Sequence, residues 1–248
     1  MPGRSLPNSD TARTSALDTA FNKWDATPAP LRAFSDAQHD ALVAQRAPWR
    51  QANGAAGTAL SAQTSAVNQA ETLGSALGQL VSHFIQGFNL AVARGYYPAS
   101  ARAYYQLDVG NAELPTLTNQ AARLTWAQNI LDGETARQTA EGAAFKPMAM
   151  PSAAEISAAL AAYVPALTVA STAKDAYDVA QQDVQALRDG VDAVILDLWD
   201  TIEFTYRHDD AATLRRKARE WGVVYAPRPG ETPDPTPTPS PTPPTPAA

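Results

Sequence analysis

From residue 59 to residue 88 the apolar side chains return every three or four positions: Ala59, Ala62, Ala66, Ala70, Leu73, Leu77, Leu80, Phe84 and Phe88. That spacing is the stripe of an amphipathic helix. The stripe recurs 114 positions later at Ala173, Ala176, Ala180, Val184, Leu187, Val191, Val194, Leu198 and Ile202, each matching in kind. Both copies run from alanine at the N-terminal end to large side chains at the C-terminal end. Each long helix is therefore expected to approach its neighbours closely at one end and to enclose a bulkier core at the other.

The repetition extends backwards. Ser35-Asp-Ala-Gln and Ser152-Ala-Ala-Glu read as capping boxes, serine at the N-cap and Gln or Glu at the third helical position. The offset here is 117, as it is for the prolines that follow, Pro48 and Pro165. Proline removes a backbone donor and its ring crowds the preceding turn, so each is expected to kink or break the chain before the long helix. The three extra residues of the first copy are assigned to Asn53–Gly57.

Each half thus reads as a short capped helix, a proline, a long helix of roughly 35–40 residues and a short terminal helix, the long element spanning on the order of 55 Å. A further helix precedes each: Thr11 to about Trp24, anchored by Leu17, Phe21 and Trp24, and Leu117 to about Ala140, anchored by Leu124, Ile130 and Leu131. The predicted organisation is a flexible N-terminus (1–10), a helical bundle (11–226) with half one about 11–116 and half two about 117–226, and a tail (227–248). Long alternating strand patterns are absent. The fold class expected is all-α, an elongated antiparallel bundle built from two similar helical-hairpin halves.

Composition narrows the functions. Hydrophobic residues make up 45% of the 248, much of that alanine, and the net charge is −6. An acidic chain lacks the clustered positive charge that attracts nucleic acid or anionic lipid. With no cysteine there are no disulfides and no thiolate-held metal. The start of the chain has no apolar run of signal-peptide length, and no uninterrupted apolar run reaches membrane-span length. A cytoplasmic location is the default expectation. From Pro227 proline stands at nearly every second position; the segment is read as a disordered, polyproline-II-like spacer.

One stretch invites a chemical reading: RHDDAATLRRKAREWGV, 207–223. At the offset of 114, His208 falls on Arg94, Asp209 on Gly95 and Asp210 on Tyr96, so the first half holds no trace of an acid–imidazole group. Asp209 or Asp210 is expected to cap the next helix. Arg215, Arg216, Lys217 and Arg219 read as a solvated face that offsets the acidic residues of 189–203. Among the three histidines, His39, His83 and His208, none follows a glutamate by three, and Asp36-x-x-His39 occurs once. No metal site is expected. Asp189, Asp192, Asp197 and Asp200 alternate with the core stripe, as the wet side of a helix does. No nucleophile elbow, phosphate loop or dinucleotide fingerprint occurs.

The expectation is accordingly a non-enzymatic helical scaffold or protein-interaction module with a Pro-rich spacer, no cofactor, no catalytic residue, and a protein partner or self-association. The alternative is a membrane-interacting protein whose bulky helix ends, 80–90 and 194–206, open into apolar patches. A small-ligand or metal-binding bundle ranks third.

Overall fold

Both serine caps close as reciprocal boxes. A computed structural model describes residues 3–226 of the chain; the Pro-rich segment 227–248 lies outside the described residues. Ser35 Oγ accepts from the Gln38 N–H at 3.3 Å while the Gln38 side chain accepts from the Ser35 N–H at 3.2 Å. Ser152 and Glu155 repeat the exchange at 3.3 and 2.7 Å. Each box supplies two of the partners that a helix start otherwise lacks. They open the two long helices, α2 (Asp36–Ala93) and α4 (Ala153–Thr205). Helix α1 (Asp10–Asp25) is capped by Ser9, and α3 (Gln120–Glu141) by Asn119. Helix α5 (Ala211–Glu220) completes the set. Strand among the described residues is confined to two dipeptides, β1 (Gly3–Arg4) and β2 (Tyr225–Ala226), paired antiparallel. The protein is all-α. Part of the stretch expected as a flexible N-terminus is thus tied down, Ser5 N–H continuing the ladder onto the Val224 carbonyl at 2.9 Å.

The prolines do not break the chain. Pro48 lies inside α2 and Pro165 inside α4, so the expected short helix and long helix are one element of 58 residues in the first case and 53 in the second. A mid-helix proline frees the carbonyl four residues back. Here those residues are Ala44 and Ala161, both exposed, where water can take the bond. Next to the prolines, buried Trp49 and the buried pair Tyr163 and Ala166 hold the helices in place.

Contacts divide the chain into two compact units that interleave the repeat. One is drawn from residues up to Ala56 and from Ala180 onward; the other is Gly57–Val179. Each takes one part of α2 from the first half and one part of α4 from the second.

In the first unit α2 and α4 run antiparallel: Gln38 donates to Asp197 at 2.8 Å and Thr201 at 2.7 Å, and Gln45 sits against Gly190. Its core joins Leu17, Leu42 and Trp49 to Val191, Leu198, Trp199 and Ile202, closed by Trp221. In the second unit Gly74 of α2 lies against Tyr163 of α4, and Gly87 against Met148, just before α4 begins. Its core joins Leu77, Val81, Phe84, Ile85 and Phe88 to Ala127, Ile130 and Ile156. Three of the pairs 114 positions apart are buried in both members: Leu77 and Val191, Phe84 and Leu198, Phe88 and Ile202.

Helix α5 ends in a glycine turn. After α5, the Val223 N–H reaches the Ala218 carbonyl and the Gly222 N–H the Arg219 carbonyl, with Gly222 at φ 94°. A side chain there would be strained and would press on the Ala16 carbonyl at 3.2 Å.

Candidate functional site

The residues that invited a chemical reading are separated by the fold. His208 is exposed in the turn between α4 and α5. Asp210 is the N-cap of α5, accepting from the N–H groups of Ala212 and Thr213 at 3.0 and 3.1 Å. Donors from Thr213, its side chain first, hold the Asp210 carboxyl below the usual range. Asp209 pairs with Lys217 at 2.8 Å, and Arg216 lies 3.9 Å from Glu220. Arg219 sits 5.5 Å from the centre of the Tyr225 ring. This is the chemistry of a helix start and of charges paired along its flank.

The four aspartates of α4 do not form a cluster either. Asp192 receives Arg13 in two bonds of 2.7 and 2.8 Å, Asp200 receives Arg4 at 2.5 Å, and Asp197 receives Gln38. Asp189 is exposed. Three of the four thus fasten other segments to α4. Among the histidines, His83 is exposed. His39 is wedged between α1 rings, 3.6 Å from Trp24 and 5.6 Å from Phe21, with Arg32 and Arg46 stacked on those same rings. Asp36 turns to Arg32 instead, at 3.5 Å. No group of three or more metal-ligating side chains converges among the described residues.

What remains is a surface in the second unit. Within this unit uncharged sequence runs from Gly57 to Ala70 in α2 and from Ile156 to Ala173 in α4. Between the two helices, next to the start of α3, lies a groove of about 500 Å³. Val67 and Ala70 line it from α2, Tyr163 and Leu167 from α4. Leu60, one heptad before Val67, is 46% exposed, Val67 is 48% exposed, and Val164 beside Tyr163 is 47% exposed. The alanine-rich ends of the two stripes behave differently from the close contact expected of them. Ala66 and Ala70 are buried, but Ala62 and its counterpart Ala176 are exposed.

Ion pairs bound the groove. Arg123 at the start of α3 grips Glu71 through both guanidinium nitrogens at 3.2 Å and donates to the Leu117 carbonyl at 3.1 Å. The bonds from Arg123, then that from Ser75, hold the Glu71 carboxyl below its ordinary range. Lys174 pairs with Asp178 at 2.5 Å. Gly74 is required at this point: a Cβ there would lie 2.8 Å from both Arg123 Nη1 and the Tyr163 ring.

By length and composition alone, α4 also contains a stretch apolar enough to cross a membrane, and only 17% of that stretch is buried. It escaped notice in the sequence because alanine, not leucine, supplies the apolarity. The bulky helix ends that would have to open for membrane contact are buried: Val81, Phe84, Ile85 and Phe88 at one, Ile195, Leu198, Trp199 and Ile202 at the other.

A buried ionic group in the second unit was also missed. Arg137 is fully buried among Phe88, Tyr97, Tyr105 and Phe145. It donates to Glu134 at 2.9 Å and to the Lys146 carbonyl at 2.7 Å, and the Tyr105 hydroxyl donates to the same Glu134 oxygen. Burial first, and the bond to Glu134 second, raise the Tyr105 hydroxyl well above its ordinary value. The signal was in the register: Glu134 and Arg137 continue the α3 stripe of Ala127 and Ile130. The ring centres lie 4.4–5.9 Å from the guanidinium carbon, and Nη1 lies 4.0 Å from Glu141. Comparison of the chain with protein-family models, with curated proteins and with solved structures yields no match.

Proposed function

We propose that this protein is a non-enzymatic helical interaction module and that the α2–α4 groove of the second unit is where it meets a protein partner. The observation that supports this is the groove itself. There Val67, 48% exposed, and Ala70 of α2 face Leu167 and Ala170 of α4, with no charged residue at 64–70 or 167–173. Leu60 and Val164 are exposed on the same helices beyond its lining. A solvated helix face ordinarily carries charge. Contiguous exposed apolar surface with a polar rim marks an interaction site. The groove suits a helix that lays anchors spaced three and four residues apart into it. The Pro/Thr-rich segment is proposed as a spacer on sequence grounds.

The test is site-specific photo-crosslinking in the native cell, with the reactive side chain at Val67 or, as control, at Tyr96, which is 75% exposed. A discrete adduct at 67 that vanishes with Val164→Lys is expected. Equal patterns at 67 and 96 would refute the proposal.

The exposed apolar stretch of α4 favours a second reading, attachment to lipid. Flotation with neutral and anionic vesicles decides it: flotation abolished by Val164→Lys would support lipid contact, and no flotation would reject it.

A further inference from the structure

We infer that the first unit holds a separate site, a cleft beside Trp199 that takes a small molecule with an apolar body and a terminal carboxylate. The cleft measures about 520 Å³ and lies between residues 5–8, α1 and the turn after α5. That volume falls in the range of small-ligand sites, roughly 300–1,000 Å³. It shares no residue with the α2–α4 groove, so the two readings are tested independently.

Three observations carry this. The first is an indole N–H without a partner. Trp199 is 1% exposed, and a buried indole ordinarily finds an acceptor. Trp49 donates to the Thr14 hydroxyl at 2.9 Å and Trp221 to the Tyr206 hydroxyl at 3.0 Å. The Trp199 N–H donates to nothing among the described residues. It is not sealed in, as the unpaired N–H of Trp24 is, and the cleft that Trp199 lines is what leads to it.

The second is the lining. Leu6, Pro7, Ala12, Ala16 and Val223 make apolar walls, and Ser15 and Thr19 line the α1 side. Apolar walls with a few polar groups are the form of a small-molecule site, the polar groups setting the orientation of the ligand. The third is charge. Among the described residues that line the cleft Arg219 alone is charged, its guanidinium 5.5 Å from the centre of the Tyr225 ring. Glu203 lies outside the lining and already accepts from the Tyr225 hydroxyl at 2.6 Å and pairs with Arg4 at 3.4 Å. A cleft with an indole donor, a guanidinium and no acid selects an acceptor that carries negative charge, and one guanidinium matches one carboxylate.

The experiment is an NMR titration of the isotope-labelled full chain with phenylacetate, phenylacetamide and phenethylamine, which share one apolar ring. The chain has five tryptophans and hence five indole N–H signals, of which Trp199→Phe identifies one by its loss. Phenylacetate should move that signal with a dissociation constant on the order of 1 mM, the strength open to so small a ligand. The amide should bind about tenfold more weakly, and the amine should leave the signal in place. Arg219→Gln should bring acid and amide level. Ala12→Phe, which narrows the cleft from the α1 side, should abolish the shift and leave the thermal melt unchanged. If Trp199→Phe does not fold, Ala12→Phe decides alone, because only a ligand in the cleft is displaced by it. The inference is overturned if no indole signal moves at phenylacetate about tenfold above that constant, if Ala12→Phe binds as the native chain does, or if the amide binds as well as the acid.

Discussion

Leu77 and Val191 occupy the same place in the repeat, 114 positions apart, and both are fully buried, yet they lie in different cores. Leu77 packs with the Phe84 and Ile130 cluster, Val191 with the Leu42 and Leu198 cluster. The two halves do not share a single core; each core is made from pieces of both.

Truncation of the equivalent pair Phe84 and Leu198 follows from this. Each change to alanine should cost about 2–5 kcal/mol, the range for large-to-small changes in a packed interior. The two residues share no core partner. Their double variant should therefore lose the sum of the two single losses to within about 0.5 kcal/mol, measured by urea denaturation. A coupling well above that would mean one continuous core.

Two glycines inside helices should respond in opposite directions to alanine. At Gly133 a Cβ would meet the Tyr105 ring at 2.4 Å and the Tyr104 carbonyl at 2.8 Å, so Gly133→Ala should destabilise by about 1–3 kcal/mol despite the better helix former. At Gly57 nothing lies within 4 Å, so Gly57→Ala should stabilise by up to about 1 kcal/mol. Thermal melts of both variants check the pair.

Acid should weaken the first unit through Asp10. The Asp10 carboxyl takes two bonds from Arg188, at 2.9 and 2.7 Å, and one from Arg13 at 3.3 Å. The bonds from Arg188, opposed in part by burial, hold it below its ordinary value of 3.8. A carboxyl depressed on folding contributes stability that is present above the unfolded value and lost as pH falls through the folded one. The stability gap between the native chain and Asp10→Asn should therefore be full at pH 7 and shrink below about pH 4. A gap that stayed constant down to pH 2 would show that the contact is not ionic.

How much of this was legible in the sequence depends on what periodicity can report. The stripe of Leu77, Phe84, Val191 and Leu198 was readable, because burial on a helix follows the 3.6-residue period. The capping serines were readable for the same local reason. The continuity of α2 through Pro48 was not, since a local backbone penalty is outweighed by tertiary packing of Trp49 and Leu42. Nor was the interleaving, because a stripe says that a face is buried and not against what. Glu134 and Arg137 stood in plain register with Ile130, but polar residues on a buried stripe are easily taken for its edge. The groove was hidden by alanine, which reads equally as close packing and as bare surface.

The interleaving has its sharpest consequence for a fragment. Residues 1–145 contain α1, α2 and α3 and lack α4 entirely. If the first half were an independent hairpin, this fragment would fold as a monomer. In the structure both cores lose their α4 face: Leu42 and Trp49 lose Val191, Leu198 and Trp199, and the Leu77 cluster loses Ile156 and Tyr163. The ion pairs from Arg13 to Asp192 and from Arg188 to Asp10 go as well. Large apolar side chains left exposed on that scale drive either association or loss of fixed packing. The fragment should be helical by circular dichroism yet oligomeric or without a cooperative melt, and adding residues 146–226 as a separate chain should restore a sharp transition. A monomeric fragment that melts cooperatively on its own would show that the first half carries a core of its own, and the interleaved arrangement would be wrong.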